Sequence, residues 1–421
     1  MRLSVTPSAG LVDEPPVIAA VDAAVGSEVD LVVSTVDAAG HRWRSTGRYS
    51  VGEDGVLQLD DPDRPWWDMR FAEPTLLPVA FRLVDSASDY EVEVRGDDDS
   101  DRVTVSRVWA SGAPPARLDG DGWTLDVYYP PAPDGGASVD TAGVMLVPGT
   151  TGPGTLLAIA ALLASRGYVA AVISYMGEPG MAASFKEIPA ETFHSGLVRL
   201  GELPGVDAAR LAVYAVSVGT IAVASAFSLP AAPPLEAMVL VAPSSVVWQA
   251  MSEGGPPPKA SSITVDGEAV PYLPMRSEKL LGQILRNAVQ NRISRRPRST
   301  ALTLLPAFAA ALSKPTAVAA AEIPVEKIDC PMMTIAGTSD AMWPAAAMAQ
   351  DLHQRRKQHG AGHQDLALQY SDAGHFFRPP ATPTTVDRNE SLVAGGTPAA
   401  SAHAQRDSWS HTLQFLGEHL G

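Results

Sequence analysis

The spacing of apolar residues changes at about residue 130, and this change constrains the fold more than any other feature of the 421-residue chain. Before it, apolar residues alternate with polar ones, as in Val29, Leu31 and Val33. Such alternation is typical of strands with one buried face. Similar runs at 79–83, 90–94, 103–105 and 123–127 are separated by Pro, Gly, Asp and Ser. The pattern predicts an antiparallel β-sandwich over residues 1–130.

Runs of mostly apolar residues replace the alternation from residue 137 onward, and helix-length segments follow most of them. The runs lie at 143–147, 169–173, 211–215, 237–241, 332–336 and 366–370. Strands covered on both faces have this composition, so residues 137–421 are predicted to form a mostly parallel sheet with helices on both faces. The segment 245–327 is too long for a simple connection and predicts an inserted helical cap.

Composition and charge exclude several classes of function. Asp and Glu outnumber Lys and Arg by 47 to 31, a formal net charge of −16, which argues against nucleic-acid binding. The single cysteine, Cys330, excludes an internal disulfide and any multi-cysteine metal site. The acidic run at 97–101 could be a calcium site, but it lacks EF-hand spacing and fits a solvated hairpin tip better. We expect no metal and no cofactor.

One stretch, residues 211–229, is uncharged and long enough to span a membrane. It contains Ser217, Gly219 and Thr220, and it fits a buried strand followed by a buried helix better. The N-terminus lacks the apolar run of a signal peptide. We therefore expect no membrane span and a soluble, cytoplasmic protein.

The sharpest local motif is Ala215-Val216-Ser217-Val218-Gly219, between a predicted strand and a predicted helix. This is the context of a G-x-S-x-G nucleophile elbow, with Ala215 at the position of the first glycine. Small flanking residues let the strand and helix backbones approach closely. The alternative is that Ser217 merely caps the helix with its hydroxyl group.

An activated serine needs a base, and the base needs an orienting carboxylate. Asp340 follows the strand predicted at 332–336, and His375 follows the strand predicted at 366–370. The order Ser217, Asp340, His375 is the order of such residues after a nucleophile elbow. Asp372 is a competing candidate for the acid, although its place in the same loop as His375 suits a turn better.

Backbone N–H groups must also stabilise the oxyanion of an acyl-transfer reaction. One predicted donor is Val218, directly after the nucleophile. The other is predicted in the Gly-rich loop after the first core strand, with Thr150 the first candidate and Thr151 the second. A phosphate-binding P-loop is excluded because no Gly-Lys-Ser/Thr follows this loop.

Several segments in both halves of the chain together resemble the acyl-CoA thioester hydrolase and bile acid-CoA:amino acid N-acyltransferase family. They are PWWDM at 65–69, LVPGT at 146–150, LLASRGY at 162–168, IPVEKI at 323–328, GTSD at 337–340, GH at 374–375, GTP at 396–398 and DSW at 407–409. The resemblance implies an Ig-like N-terminal domain before an α/β-hydrolase domain, with catalysis by Ser217, His375 and Asp340. Ala215 and Ser339 depart from the family pattern.

The resemblance predicts a thioesterase that acts on acyl-CoA or acyl-carrier substrates. Within the family, N-acyltransferases resemble cysteine enzymes and thioesterases resemble serine enzymes, so Ser217 favours hydrolysis. Arginines 292, 295, 296 and 298 lie in an acid-free stretch of the predicted cap, and could bind CoA phosphates or an acidic carrier protein. They fit ordinary surface arginines equally well.

Two other functions stay open. The first is an acyltransferase, cyclase or esterase that acts on a small-molecule metabolite through the same acyl-enzyme. The second is a non-catalytic binding protein that has kept the hydrolase frame. The acyl chain and the oligomeric state are not predicted.

Overall fold

A computed structural model describes residues 1–73, 79–83, 87–97, 99–109, 114–131, 141–251, 257–294, 300–388 and 391–421. The elements of its first part are β1 (Arg2–Thr6), β2 (Ala9–Leu11), β3 (Val17–Val21), β4 (Glu28–Val36), β5 (Arg42–Ser50), α1 (Arg64–Trp67), β6 (Arg70–Phe71), β7 (Ala87–Arg95) and β8 (Ser100–Val108). They form a two-stranded sheet, β1-β3, and a six-stranded sheet in the order β2-β8-β7-β4-β5-β6. All these pairs are antiparallel except β2 with β8. The predicted antiparallel N-terminal sheets are therefore present.

The second part of the chain alternates strands and helices. Its elements are β9 (Ala116–Asp119), β10 (Thr124–Tyr128), β11 (Thr141–Val147), α2 (Gly154–Ser165), β12 (Val169–Ser174), β13 (Ile188–Pro189), α3 (Glu191–Gly201), β14 (Val206–Val216), α4 (Val218–Phe227), β15 (Ala237–Val241), β16 (Ile263–Val265), β17 (Glu268–Ala269), α5 (Leu281–Ile293), α6 (Leu305–Leu312), α7 (Pro315–Ala321), β18 (Met332–Gly337), α8 (Ala345–Gln358), β19 (Leu366–Tyr370) and α9 (Pro398–Leu420).

An eight-stranded sheet organises this second part, in the order β19-β18-β15-β14-β11-β12-β10-β9. The six neighbouring strands β19, β18, β15, β14, β11 and β12 pair in parallel, whereas β10 is antiparallel to both of its neighbours. Every residue of β11 and β15 is buried, which explains their unbroken apolar sequences. This order, with helices on both faces, is the α/β-hydrolase fold predicted from the sequence.

Two predictions about strands are wrong. Residues 123–127, grouped with the N-terminal sandwich, lie in β10 and extend the large sheet beside β12. Residues 79–83 form no strand; Arg82 instead hydrogen-bonds the turn after β4, through Ala38 and Asp37. Alternation identifies a strand with one exposed face but does not identify the sheet to which it belongs. We propose that the boundary between the two expected domains lies before β9 rather than at residue 130.

Two clusters of buried side chains cover the two faces of the large sheet. On one face, α2 and α9 pack in a cluster that continues into the N-terminal sheets, where Trp409 donates a hydrogen bond to Asp13 at 2.8 Å. On the other face lie α3, α4 and α8. Helix α4 is buried on all sides. None of the helices within the described ranges is long and apolar enough to cross a membrane.

The predicted insertion separates β15 from β18 and contains α5, α6 and α7. A small sheet of β13, β16 and β17 connects it to the segment before α3. Phe308 of α6 packs edge-to-face against Trp248 at 4.6 Å and Trp343 at 5.7 Å between ring centroids. These aromatic contacts join the insertion to the carboxyl edge of the large sheet.

Candidate active site

Ser217 lies at the sharp turn between β14 and α4. Its backbone has φ 57° and ψ −125°, a conformation that residues other than glycine rarely adopt. Strained backbone of this kind is concentrated at functional sites. The Ser217 side chain makes no capping hydrogen bond to α4, so the helix-cap interpretation of this serine is wrong.

The small residues around Ser217 are required by close backbone contacts. A Cβ atom at Gly219 would lie 2.6 Å from the carbonyl oxygen of Val147 and 2.8 Å from that of Pro148. A Cβ atom at Gly149 would lie 3.0 Å from the Cβ of Ser217. Ala215, at the position of the first glycine of the motif, is completely buried. The loop after β11 is thus pressed against the serine, as an oxyanion loop must be.

His375 lies between Ser217 and Asp340 and contacts both. Its Nε2 atom is 2.9 Å from Ser217 Oγ, and its Nδ1 atom is 2.7 Å from Asp340 Oδ2. Because an ionised carboxylate only accepts, Nδ1 carries the proton and Nε2 is free to accept the serine hydroxyl proton. The structure thus brings together the three side chains that sequence order predicts for nucleophile, base and acid.

Asp340 is fixed by more than its contact with the histidine. Its Oδ1 atom accepts hydrogen bonds from the backbone N–H groups of Met342 at 2.8 Å and Trp343 at 3.2 Å. The carbonyl oxygen of Ala394 accepts from the N–H groups of both His375 and Ala341 at 3.0 Å. One backbone carbonyl therefore holds the loop of the acid against the loop of the base.

The three side chains are withdrawn from solvent. Ser217 is 9% exposed, His375 3% and Asp340 4%. The indole ring of Trp343 meets the imidazole edge-to-face, with ring centroids 5.7 Å apart. Exclusion of water strengthens electrostatic interactions among such groups.

Among the described residues near the serine, the three predicted oxyanion donors have unbonded backbone N–H groups. Those of Val218, Thr150 and Thr151 donate to no acceptor within the described part of the chain. The first belongs to the opening turn of α4, where N–H groups have no partner within the helix. The other two lie in the loop that Gly149 holds against Ser217, and both stay candidates for the second oxyanion donor.

Tyr175, which is not among the site residues predicted from the sequence, holds this loop in place. Its hydroxyl group donates a hydrogen bond to the carbonyl oxygen of Pro148 at 2.8 Å. Burial raises the pKa of Tyr175, so the hydroxyl keeps its proton across the working range of pH. Tyr175 directly follows β12, and its place at a strand's carboxyl end is the signal that could have identified it.

The remaining predicted residues lie away from this cluster. The exposed side chain of Asp372 makes no hydrogen bond to His375, so it does not act as the orienting carboxylate in this geometry. Arg292 is exposed on α5, while Arg295, Arg296 and Arg298 lie outside the described residues. No group of three potential metal ligands occurs in the ranges that the structure covers.

Comparison with known protein families matches residues 188–421, more than half of the chain, to the family described as BAAT / Acyl-CoA thioester hydrolase C terminal. The chain belongs to this family. The matched region contains Ser217, Asp340 and His375. The resemblance identified from the sequence motifs is confirmed.

Two proteins similar to this chain are named as acyl-CoA thioesterases. Peroxisomal succinyl-coenzyme A thioesterase of Mus musculus is 34% identical over 104 residues, 24% of this chain and 24% of that protein. Acyl-coenzyme A thioesterase 1 of Homo sapiens is 31% identical over 104 residues, again 24% of each chain. The matched segment therefore spans about a quarter of the length of these relatives.

Solved structures similar to this chain include an esterase from Thermogutta terrifontis. It has a TM-score of 0.40 and 16% sequence identity, and the alignment covers 70% of this chain and 87% of the esterase. A dienelactone hydrolase-like phosphotriesterase from metagenomic libraries has a TM-score of 0.41 and 15% identity, with 73% and 98% covered. These similarities are too distant to indicate a substrate.

Proposed function

We propose that this protein is a serine hydrolase that cleaves acyl thioesters, of CoA or of an acyl carrier, through an acyl-enzyme intermediate. The observation that carries the proposal is the pair of hydrogen bonds, 2.9 Å and 2.7 Å long, from Ser217 through His375 to Asp340. Membership of a family that contains acyl-CoA thioesterases supports the choice of a thioester substrate.

The first half of the reaction forms the acyl-enzyme. Ser217 Oγ attacks the thioester carbonyl carbon while His375 Nε2 removes the hydroxyl proton, and Asp340 stabilises the resulting imidazolium. The N–H groups of Val218 and of Thr150 or Thr151 stabilise the oxyanion. Loss of one such donor typically costs about 3–4 kcal/mol of transition-state stabilisation. When the carbon–sulfur bond breaks, His375 returns its proton to the departing thiolate, and the thiol leaves.

The second half of the reaction releases the acid. His375 Nε2 removes a proton from water, which attacks the ester carbonyl of acylated Ser217. The tetrahedral intermediate collapses, Ser217 Oγ recovers the proton from His375, and a carboxylic acid is released. An oxygen ester is captured by amines less readily than an acyl-enzyme thioester is, so serine at position 217 favours water over an amine acceptor.

A substrate screen with a matched variant tests this proposal. The wild-type protein and Ser217→Ala are assayed against acyl-CoA esters of increasing chain length and against simple nitrophenyl esters, with thiol release and acid formation both measured. The proposal expects thioester hydrolysis by the wild type and none above background by Ser217→Ala. Hydrolysis of oxygen esters alone contradicts the assignment to thioesters, and equal rates for the two proteins contradict the role of Ser217.

Product analysis separates hydrolysis from transfer. The same reactions are run with glycine, taurine or an alcohol present, and the products are identified by mass spectrometry. We expect free acid as the main product in each case. An amide or ester as the main product would instead assign an acyltransferase that uses the same acyl-enzyme.

A further inference from the structure

Arg378 lies three residues after His375 and has an unusual environment for an arginine. Its side chain is mostly buried, yet none of the described carboxylates lies within salt-bridge distance of it. Its one hydrogen bond to a described residue is long, 3.4 Å from Nη1 to the carbonyl oxygen of Pro383. The guanidinium group also lies over the ring of Phe376, 5.5 Å from its centroid.

An arginine in this state is costly to keep. A guanidinium group has five N–H donors and stays charged, and burial of an unpaired charge is unfavourable. Burial lowers the pKa of Arg378, and no neighbouring carboxylate offsets that effect. Arg356, a fully buried arginine of the same part of the chain, is bonded to Asp365 and to three backbone carbonyls. Arg378 therefore has donors to spare, whereas Arg356 does not.

Arg378 lines a narrow cavity of about 20 Å³ that opens to solvent. Thr384, Ser401 and Gln405 contribute polar side chains to the wall. Ser401 lies in the first turn of the 23-residue helix α9, the end at which a helix favours negative charge. Asp387 also lines the cavity, but its carboxylate is paired with Arg388 at 2.8 Å.

Two residues that line this cavity make backbone contacts with the loops of His375 and Asp340. Gly395 lines the cavity, and its backbone pairs with that of Asp340. Ala394, another lining residue, supplies the carbonyl oxygen that accepts the N–H groups of His375 and Ala341. The cavity and the candidate active site thus share the same supporting loop.

We propose that Arg378 and this cavity form a subsite for an anionic group of the substrate, a carboxylate or a phosphate. The proposal rests on the proposed thioesterase function and adds a substrate class to it. A guanidinium fork matches the geometry of both anions. In a chain with a net charge of −16, an unpaired arginine beside the site supplies the local attraction that an anionic substrate needs. The anion is either a carboxylate at the far end of the acyl group or a phosphate of the CoA moiety.

Four thioesters separate the two sources of the anion. Glutaryl-CoA carries a carboxylate at the end of its acyl group, and hexanoyl-CoA does not. The other two substrates are the glutaryl and hexanoyl thioesters of N-acetylcysteamine, which lack the phosphates of CoA. In Arg378→Met we expect kcat/KM to fall about 10- to 100-fold for the substrates that carry the recognised anion, the usual effect of losing a charged hydrogen bond. A fall confined to glutaryl substrates identifies a carboxylate, and a fall confined to CoA substrates identifies a phosphate.

Hexanoyl-N-acetylcysteamine carries no anion, so its hydrolysis is the internal control for folding and catalysis. We expect its kcat/KM to change less than about twofold in Arg378→Met, and Arg378→Lys to recover part of the loss on the anionic substrates. We also expect the melting temperature of Arg378→Met to stay the same or rise, because an unpaired buried charge is removed. A structural arginine would instead lower it.

The possible failures are distinguishable. If the wild type hydrolyses all four substrates and Arg378→Met lowers every rate equally, the subsite is refuted while the thioesterase proposal stands. If the wild type hydrolyses none of the four, the proposed function fails and the subsite fails with it.

Discussion

Replacement of Asp340 by asparagine tests what orients the imidazole of His375 without creating a cavity. In the structure, Asp340 Oδ1 accepts two backbone N–H groups, from Met342 and Trp343, and Oδ2 accepts the Nδ1–H of His375. An asparagine keeps its amide oxygen on the two backbone donors, because the opposite orientation leaves two buried N–H groups unpaired at about 1–3 kcal/mol each. Its NH₂ group must then face Nδ1.

This arrangement forces the wrong tautomer of His375. Nδ1 must accept from the asparagine NH₂ group, so the proton moves to Nε2, which can no longer accept the hydroxyl proton of Ser217. The equivalent change in a serine protease lowers kcat about 10⁴-fold. That factor corresponds to about 5.5 kcal/mol of barrier, and we expect a loss of this order for Asp340→Asn.

Steady-state kinetics on the best thioester from the substrate screen measure the effect, with Asp372→Asn as the matched control. Asp372 is exposed and has φ 58°, a conformation that asparagine also tolerates. We expect Asp372→Asn to keep its activity within about twofold. Retention of more than a tenth of the wild-type kcat by Asp340→Asn, or an equal loss in Asp372→Asn, refutes the reasoning.

Three further changes probe the surroundings of the site. Tyr175→Phe removes the donor to the Pro148 carbonyl oxygen, and leaving that buried acceptor unpaired costs about 1–3 kcal/mol. We therefore expect kcat to fall about 10-fold with little change in KM. A change in KM alone would contradict a role in holding the oxyanion loop. Gly219→Ala places a Cβ atom 2.6 Å from the Val147 carbonyl oxygen. We therefore expect the free energy of unfolding, measured by chemical denaturation, to fall by about 1–3 kcal/mol. An unchanged denaturation midpoint would be inconsistent with this contact. Burial raises the pKa of Cys330 to about 12. We therefore expect iodoacetamide to modify its thiol far more slowly in the folded protein than in concentrated guanidinium. Fast labelling of the folded protein would show that the thiol is accessible.

The parts of the fold that could be predicted from the sequence are those that leave a local pattern. Mostly apolar runs marked the buried strands β11, β12, β14, β15 and β18, because a strand covered on both faces has few positions for a polar side chain. Ser217 was identifiable because its elbow demands small neighbours, and a Cβ atom at Gly219 would indeed lie 2.6 Å from a backbone oxygen. Asp340 and His375 were identifiable because both follow strands of one parallel sheet, whose carboxyl ends meet at one edge.

Features that depend on which segments meet could not be predicted in this way. The alternation of β10 indicates a strand but not its partner, and the pattern alone predicts β10 in the sandwich instead of the large sheet. The place of Tyr175 directly after β12 makes it a candidate, but nothing in the sequence indicates its contact with Pro148, 27 positions away. Arg378 was not singled out, because its lack of a carboxylate partner is a property of the folded surroundings and not of the sequence around it.

Active-site labelling tests the nucleophilic role of Ser217 most directly. The wild-type protein, Ser217→Ala and His375→Gln are treated with a fluorophosphonate, and the modified residue is located by intact mass and peptide mapping. Our account predicts one rapid adduct on Ser217 of the wild type, no adduct in Ser217→Ala and a strongly slowed reaction in His375→Gln. An unlabelled wild-type protein, or an adduct that persists in Ser217→Ala, would contradict it.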